Sequence, residues 1–268
     1  MFIKRKDSGI FIEESGQCSD QMWQEYGKQA GRRHLSYKIA IVEDQPDLRD
    51  NYADVFTDHG YQVSAYANRS AAESAFSEAL PDLAVIDIGL GDEPEGGFSL
   101  CQWLRQRSNT VPIIFLSARD SDLDIVSGLR MGADDYVTKD MSLPHLLARV
   151  GALFRRIELL SKASTEQTAT AEQSIQLGHL RLDDKRFTTH WQDQLIELTL
   201  TEFWMIHALV QNPGHVKKRQ QLMQDAHIYV DDATITSHIK RIRRKFQKID
   251  PNFDCIETVY GLGYRWRA

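Results

Sequence analysis

The sequence contains no apolar run long enough to cross a bilayer. Its longest strongly apolar stretches, Leu83-Ala-Val-Ile86 and Ile113-Ile-Phe-Leu116, are four residues each, whereas a membrane helix needs about 20. No segment is therefore expected to span or anchor in a membrane. A secretory signal is missing too. The N-terminus reads Met-Phe-Ile-Lys-Arg-Lys and soon reaches Asp7, Glu13 and Glu14, without an apolar core or a small-residue cleavage site, so a cytoplasmic protein is expected. Cysteine is scarce: Cys18, Cys101 and Cys255 are odd in number and far apart, which excludes a disulfide framework and the paired spacing of a zinc site. No internal repeat is visible.

What is present is an ordinary globular composition, 42% hydrophobic and 26% charged over 268 residues. That length suits two domains of about 100 to 150 residues, each able to bury its own core. The net charge of −6 conceals an asymmetry. Residues 37–158 hold 11 Lys and Arg against 20 Asp and Glu, whereas residues 174–268 hold 14 against 11. Within the second half, Lys240–Lys248 concentrates six basic side chains with no acid among them. The two halves are thus expected to do different jobs, with a polyanion as partner for the second.

From Tyr37 onward, short apolar runs alternate with longer amphipathic ones. Lys38–Val42, Gln62–Ala65, Leu83–Asp87, Val111–Leu116 and Tyr136–Thr138 read as strands, with four helical stretches between them and a fifth from Leu143 to about Leu160. Apolar runs without alternation are what a strand covered on both faces requires, so a doubly wound, parallel five-stranded α/β sheet is predicted. Ser161–Gln173 carries no large apolar residue and no periodicity, and a flexible linker is assigned at 159–173. Beyond it, Ile175–Leu182, Phe187–His190 and Gln194–Leu198 read as short strands, followed by helices from about Thr201, Lys218 and Asp232 and a hairpin around Gly261-Leu-Gly263. Residues 1–36 form an N-terminal extension that fits neither domain; they suit a short docking element or a disordered tail.

In a doubly wound sheet, active groups gather at the carboxyl ends of the strands. Those ends carry Glu43 and Asp44, then Asp87, Ser117 and Lys139, with spacings of 43, 30 and 22 residues from Asp44 onward. Read singly, each is unremarkable: an Asp at a strand end is ordinarily a turn or helix cap, and a Ser or Lys there is ordinarily solvated. Their joint placement is the signal. Three converging carboxylates need a hard cation, and oxygen ligands suit Mg2+. Asp87 at the end of a buried strand then suits a nucleophile for a phosphoryl group, with the metal and Lys139 neutralising its oxygens and Ser117 donating a hydrogen bond.

Val42-Glu-Asp44, Leu83-Ala-Val-Ile-Asp87, Pro112-Ile-Ile-Phe-Leu-Ser-Ala118 and Gly132-Ala-Asp-Asp-Tyr-Val-Thr-Lys139 resemble the receiver domains of two-component response regulators, over residues 37–158. The resemblance implies a flavodoxin-like fold and makes Asp87 the phosphoacceptor, supplied by a sensor histidine kinase. It also implies Mg2+ held by Glu43, Asp44, Asp87 and the Gly89 backbone carbonyl, with Ser117 and Tyr136 as a switch pair. Two departures stand out. The loop Gly89–Gly96 is about two residues longer than usual and acidic, and Asp140 stands where the family carries a proline after the lysine.

In the second half, Ile235, Ile239, Ile242, Phe246 and Ile249 recur at spacings of 4, 3, 4 and 3, which defines one buried helical face. Thr234, Ser237, His238, Arg241 and Lys245 lie on the opposite side, flanked by Lys240, Arg243, Arg244 and Lys248. A merely solvated face ordinarily carries both signs of charge, and this one is wholly positive, so contact with nucleic acid is expected. Leu198-Thr-Leu-Thr-Glu-Phe203, Asn212-Pro-Gly-His215 and Thr258-Val-Tyr-Gly-Leu-Gly-Tyr-Arg-Trp266 are similar to the winged-helix effectors of OmpR/PhoB-type regulators, over residues 174–268. By that resemblance Thr258 and Tyr260 join the DNA-contacting set, although Tyr260 and Ala233 stand where the family usually places arginines.

The expected function is that of a phosphorylation-dependent transcriptional regulator that binds double-stranded promoter DNA, with RNA polymerase as a further partner. The family pairing of active receivers implies a homodimer on phosphorylation, through Asp134 with Arg156 and Asp135 with Arg149. Two other functions suit parts of this sequence. An aspartyl-phosphate hydrolase would need a second carboxylate two residues after Asp87, where Gly89 stands, so the chain is not expected to be an enzyme. A protein-binding adaptor with a degenerate winged helix is the other, and salt-dependent DNA binding separates it from a regulator.

Overall fold

The computed structural model describes residues 37–118, 128–129, 131–163, 174–226 and 232–267, with backbone alone for 155–163 and 233. The expected N-terminal docking element, most of the fourth helix of the first domain, and residues 164–173 of the expected linker lie outside the described residues.

Five parallel strands build the first sheet: β1 (Lys38–Val42), β2 (Gln62–Tyr66), β3 (Leu83–Asp87), β4 (Ile113–Ser117) and β5 (Asp135–Thr138), in the order β2-β1-β3-β4-β5. Helices α1 (Pro46–Asp58), α2 (Arg69–Glu78), α3 (Gly96–Arg105) and α4 (Leu143–Ala163) belong to this domain. Alternate residues of one strand serve two separate cores. Ala40 and Val42 pack with Phe98, Leu100 and Phe115, while Ile39 and Ile41 pack with Phe56, Val150 and Phe154. Both faces of the strand are therefore dry, which is why its sequence runs apolar without alternation. The edge strand β2, with Gln62 and Ser64, is half-exposed.

Because β1 lies between β2 and β3, the winding reverses beside its carboxyl end, and a crevice opens there between the ends of β1 and β3. Helix α4 continues through Ala163, so residues 159–163, assigned above to the linker, are helical. Leu159, Leu160, Lys162 and Ala163 are all good helix formers and extend it.

The second domain opens with an antiparallel sheet of β6 (Ser174–Leu177), β7 (Leu180–Asp183), β8 (Thr188–Trp191) and β9 (Gln194–Ile196). The single strand expected over Ile175–Leu182 is in fact the hairpin β6–β7: Gly178 adopts φ 57°, and Leu177 faces Leu180 across the turn. A positive φ comes easily only to glycine, and an isolated glycine in a strand pattern was the overlooked sign. Helix α5 (Leu200–Val210) starts on a capping box formed by Thr199 and Glu202 and is buried on every side. The short strand β10 (Lys217–Lys218) and helix α6 (Arg219–Asp225) precede helix α7 (Asp232–Gln247), and the chain closes with β11 (Ile256–Val259) and β12 (Gly263–Trp266). The last two strands pair as a hairpin whose second strand also pairs with β10. Ile235, Ile239, Ile242 and Phe246 point from α7 into the core, and Ile249 packs against it just beyond the helix. Phe246 stacks on Phe253, both beside Trp191 and Trp266. Among the described residues no helix is long and apolar enough to cross a membrane.

Candidate functional site

At the crevice, Glu43 leaves the end of β1 buried, Asp44 follows half-buried, and Asp87 closes β3 at 8% exposure. One oxygen from each of these carboxylates lies within 4.8 Å of the others. Arg49, one turn into α1, donates to the carbonyls of Glu43 and Asp44 and so holds that corner. Lys139 enters from the end of β5, with its Nζ 2.7 Å from Asp87 Oδ2 and 2.7 Å from Glu43 Oε2. Its own amide donates to the Ser117 carbonyl over 2.8 Å. The backbone thus anchors the lysine although Asp140 replaces the family's proline.

The electrostatics of the pocket are under tension. Burial, opposed by Lys139 and reinforced by Asp87, pushes the Glu43 carboxyl above its ordinary pKa. Burial works to lower Lys139, but hydrogen bonds to Asp87 and Glu43 outweigh it and hold the ammonium above its ordinary value. One ammonium faces three carboxylates. Glu43 Oε2, although close to Nζ, is buried without a hydrogen bond of good geometry. A hard cation with oxygen ligands fits this donor set.

Ser117 is buried at the end of β4, and Tyr136 is buried in β5 with its ring edge-on to Phe115. Gly128 makes room for that ring, since a Cβ there would stand 2.9 Å from it. Gly89 sits two residues past Asp87, in a stretch where a Cβ would meet nothing within 4 Å. The long acidic loop is closed by paired backbone hydrogen bonds between Leu90 and Glu93 and tied to α2 by Arg69–Glu93 at 2.7 Å. Gly91 N–H donates to Asp44 Oδ2, and Gly97 packs so close to the Asp87 carbonyl that no side chain fits.

The basic helix differs from the expectation in one main respect. Lys240 and Arg244 are exposed, Ser237, Arg243, Lys245 and Thr258 are half-buried, and Tyr260 stands 93% exposed at the tip of the β11–β12 hairpin. Thr234, His238 and Arg241, expected on the free side of the helix, are instead buried. Arg241 pairs with Glu202 and donates to the carbonyls of Leu129 and Ala133 in the first domain. His238 Nε2 lies 3.0 Å from the carbonyl of Asp134, and the Thr201 amide donates to Asp134 Oδ1. Helical periodicity registers only the face that packs within a domain; here a second face is covered by carbonyls and a carboxylate that attract its positive charge. Arg243 is also committed, donating to the Ile256 carbonyl at 2.7 Å and Thr258 Oγ1 at 2.8 Å, which fixes the hairpin against α7.

Of the residues expected to pair across a dimer, Asp134, Asp135 and Arg149 are satisfied within this chain. Asp134 is fully buried, 2.7 Å from Arg105, and accepts from the Ile113 amide; Asp135 pairs with Arg149 at 2.7 Å. The side chain of Arg156 lies outside the described residues. The sequence reading missed Arg105 and Glu202. Glu202 was half legible, because Thr199-x-x-Glu202 is a capping-box signature, but its partners, the buried Arg241 and the half-buried Lys245, carried no local signal.

An acidic pocket with one lysine at the switch point of a parallel sheet, joined to a winged helix with a basic helix, defines a signal-receiving DNA-binding protein. The sequence matches the family described as response regulator receiver domain over residues 39–151 and that described as transcriptional regulatory protein, C terminal, over residues 193–266. It is 33% identical to the transcriptional regulatory protein CreB of Escherichia coli over 235 residues, covering 86% of this chain and 97% of that one. It is 36% identical to the phosphate regulon transcriptional regulatory protein PhoB of Rhizobium meliloti over 236 residues, covering 85% and 97%. Among solved structures, a RitR mutant shares the fold with a TM-score of 0.67 at 21% identity, covering 86% of this chain and 99% of that one. The chain belongs to the OmpR/PhoB-type response regulators of two-component systems, whose DNA-binding transcription regulation depends on phosphorylation.

Proposed function

We propose that Asp87 accepts the phosphoryl group from a sensor histidine kinase and that this releases α7 from the first domain to bind promoter DNA. The observation that carries the proposal is the double use of β5. One end of this four-residue strand leads to Lys139 on Asp87, and the other begins beside Asp134, on which His238 and Thr201 rest. A phosphoryl group on Asp87 competes for the Lys139 ammonium, and a short rigid strand carries that change to the docking end.

Glu43, Asp44, Asp87 and the Gly89 carbonyl would hold Mg2+, which supplies charge neutralisation for the phosphoryl oxygens when bound. The chain's own residues do the rest. Asp87 Oδ attacks phosphorus as the P–N bond to the kinase's phosphohistidine breaks and the imidazole leaves, Lys139 balances the charge on the acceptor, and Ser117 donates to a phosphoryl oxygen, with Tyr136 as its switch partner. Turnover of a separate substrate is no part of this reading. We infer a cytoplasmic protein, since promoter DNA and RNA polymerase are met there.

Once α7 is free, Lys240 and Arg244 meet phosphates while Thr234, Ser237 and His238 approach the groove, with Thr258 and Tyr260 at the wing. Arg241, Arg243 and Lys245 chiefly brace these elements, given their partners Glu202 and Ile256. On the phosphorylated protein, Lys240→Ala and Arg244→Ala should each weaken binding to specific and random duplexes alike and reduce the salt slope by about one. Phosphorylation itself should tighten binding about 5- to 150-fold. Equal affinity with and without the phosphoryl group would refute the coupling.

Release also frees the Asp134 carbonyl, beside the Asp135–Arg149 pair, and offers this edge to a second receiver, in a homodimer that spans two half-sites. Sedimentation of phosphorylated Arg149→Ala checks this interface. A weakened dimer is expected, and a wild-type protein that remains monomeric on phosphorylation, or a dimer indifferent to Arg149, would exclude it.

A further inference from the structure

We infer that His238 makes the docking of α7 on the first domain sensitive to protons, so that mild acid releases the DNA-binding helix without phosphorylation. The inference rests on the docking geometry and not on the assignment of Asp87.

His238 is fully buried, and both ring nitrogens are committed. A guanidinium can only donate, and Arg241 Nη2 lies 3.1 Å from Nδ1, so Nδ1 is an acceptor and carries no proton. Nε2 therefore carries the ring's single proton and donates it to the Asp134 carbonyl across the domain boundary, over 3.0 Å. This is a neutral imidazole in one defined tautomer. A second proton has only Nδ1 to go to, where it would turn an acceptor into a donor facing the guanidinium. Arg241 would lose that bond, and two positive charges would share a dry site. The same guanidinium donates to the Leu129 and Ala133 carbonyls, so protonating one ring acts on the hydrogen bonds that Arg241 and His238 of α7 make to this segment.

Among the described residues, three elements bring charge to the ring. On α7 itself there is Arg241; from α5 comes Glu202, paired with Arg241 and Lys245; from the turn before β5 comes Asp134, paired with Arg105 of α3. Burial opposes ionisation of Glu202, but Arg241 and Lys245 outweigh it and bring its pKa down to about 2, and Asp134 is likewise held below its ordinary value despite burial, chiefly by Arg105. Both carboxylates therefore stay charged in mild acid, and proton uptake falls on the ring. Burial, aided by Arg241, lowers His238 from 6.5 to about 4 in the docked state. A depressed pKa means that the docked form has its full stability above the ordinary histidine value and loses it as the pH falls toward the docked one. Lowering the pH thus favours the undocked form, in which the ring is free to charge.

The test uses the unphosphorylated full chain. Its radius of gyration is measured by small-angle scattering between about pH 7.5 and about pH 5, a range in which histidine is the side chain that ordinarily titrates, with circular dichroism recording that secondary structure persists. The wild type is expected to expand reversibly as the pH falls. His238→Gln, which keeps an amide donor for the Asp134 carbonyl and cannot titrate, is expected to stay compact throughout. A wild type that stays compact to the acid end overturns the inference, as does a His238→Gln variant that expands over the same range. Should that variant be extended at every pH, the wild-type ring itself decides, followed by NMR: a titration well below the ordinary histidine range upholds the inference, and an ordinary one overturns it.

Discussion

Asp87→Ala is expected to incorporate no phosphate from a small acyl phosphate in the presence of Mg2+, a complete loss of labelling with the fold retained. The neighbouring carboxylates cannot substitute. Glu43 is buried, its pKa is pushed up and it faces Lys139, while Asp44 is engaged by the Gly91 amide. Asp87 alone closes the central strand β3, flanked by β1 and β4, with Lys139 Nζ 2.7 Å from its Oδ2. Removing one of three converging carboxylates also relieves repulsion, so the folded state should not suffer. Phosphate incorporation is read by intact-protein mass spectrometry, and undiminished labelling of the variant would move the acceptor elsewhere.

Glu202→Ala should lower the unfolding free energy of the winged-helix domain by about 3 to 5 kcal/mol, the range for removing one partner of a buried ion pair. Glu202 is wholly buried. It caps its own helix by accepting from the Thr199 amide at 2.8 Å and neutralises both Arg241 and Lys245. Without it, two cations face each other beneath α7. Burial already depresses the Lys245 pKa even with Glu202 in place. Urea unfolding followed by tryptophan fluorescence reads the change through Trp191, Trp204 and Trp266 in this domain. A loss under about 1 kcal/mol, the scale of an exposed pair, would mean that the cations reach water instead.

The acidic pocket was legible because a parallel sheet brings the ends of its strands together whatever lies between them. Spacings of 43, 30 and 22 residues between Asp44, Asp87, Ser117 and Lys139 are long in sequence, yet each residue follows directly on a recognisable apolar run. The inner face of α7 was legible for the same kind of reason: Ile235, Ile239, Ile242 and Phe246 obey a local period that the helix turns into a stripe. Less was visible where a single residue redirected the chain, as Gly178 does in dividing one expected strand into β6 and β7.

The fold class, the two domains, the pocket and the basic helix were determined by the sequence alone, since each depends on periodicity within one element or on a residue at the end of one. The tertiary structure alone decided that Thr234, His238 and Arg241 are covered and that Asp134 and Asp135 find their cations at home. Arg241 meets Leu129 and Ala133 across more than a hundred residues. A contact of that kind depends on the shape and charge of two finished surfaces, and the pattern along neither segment records it.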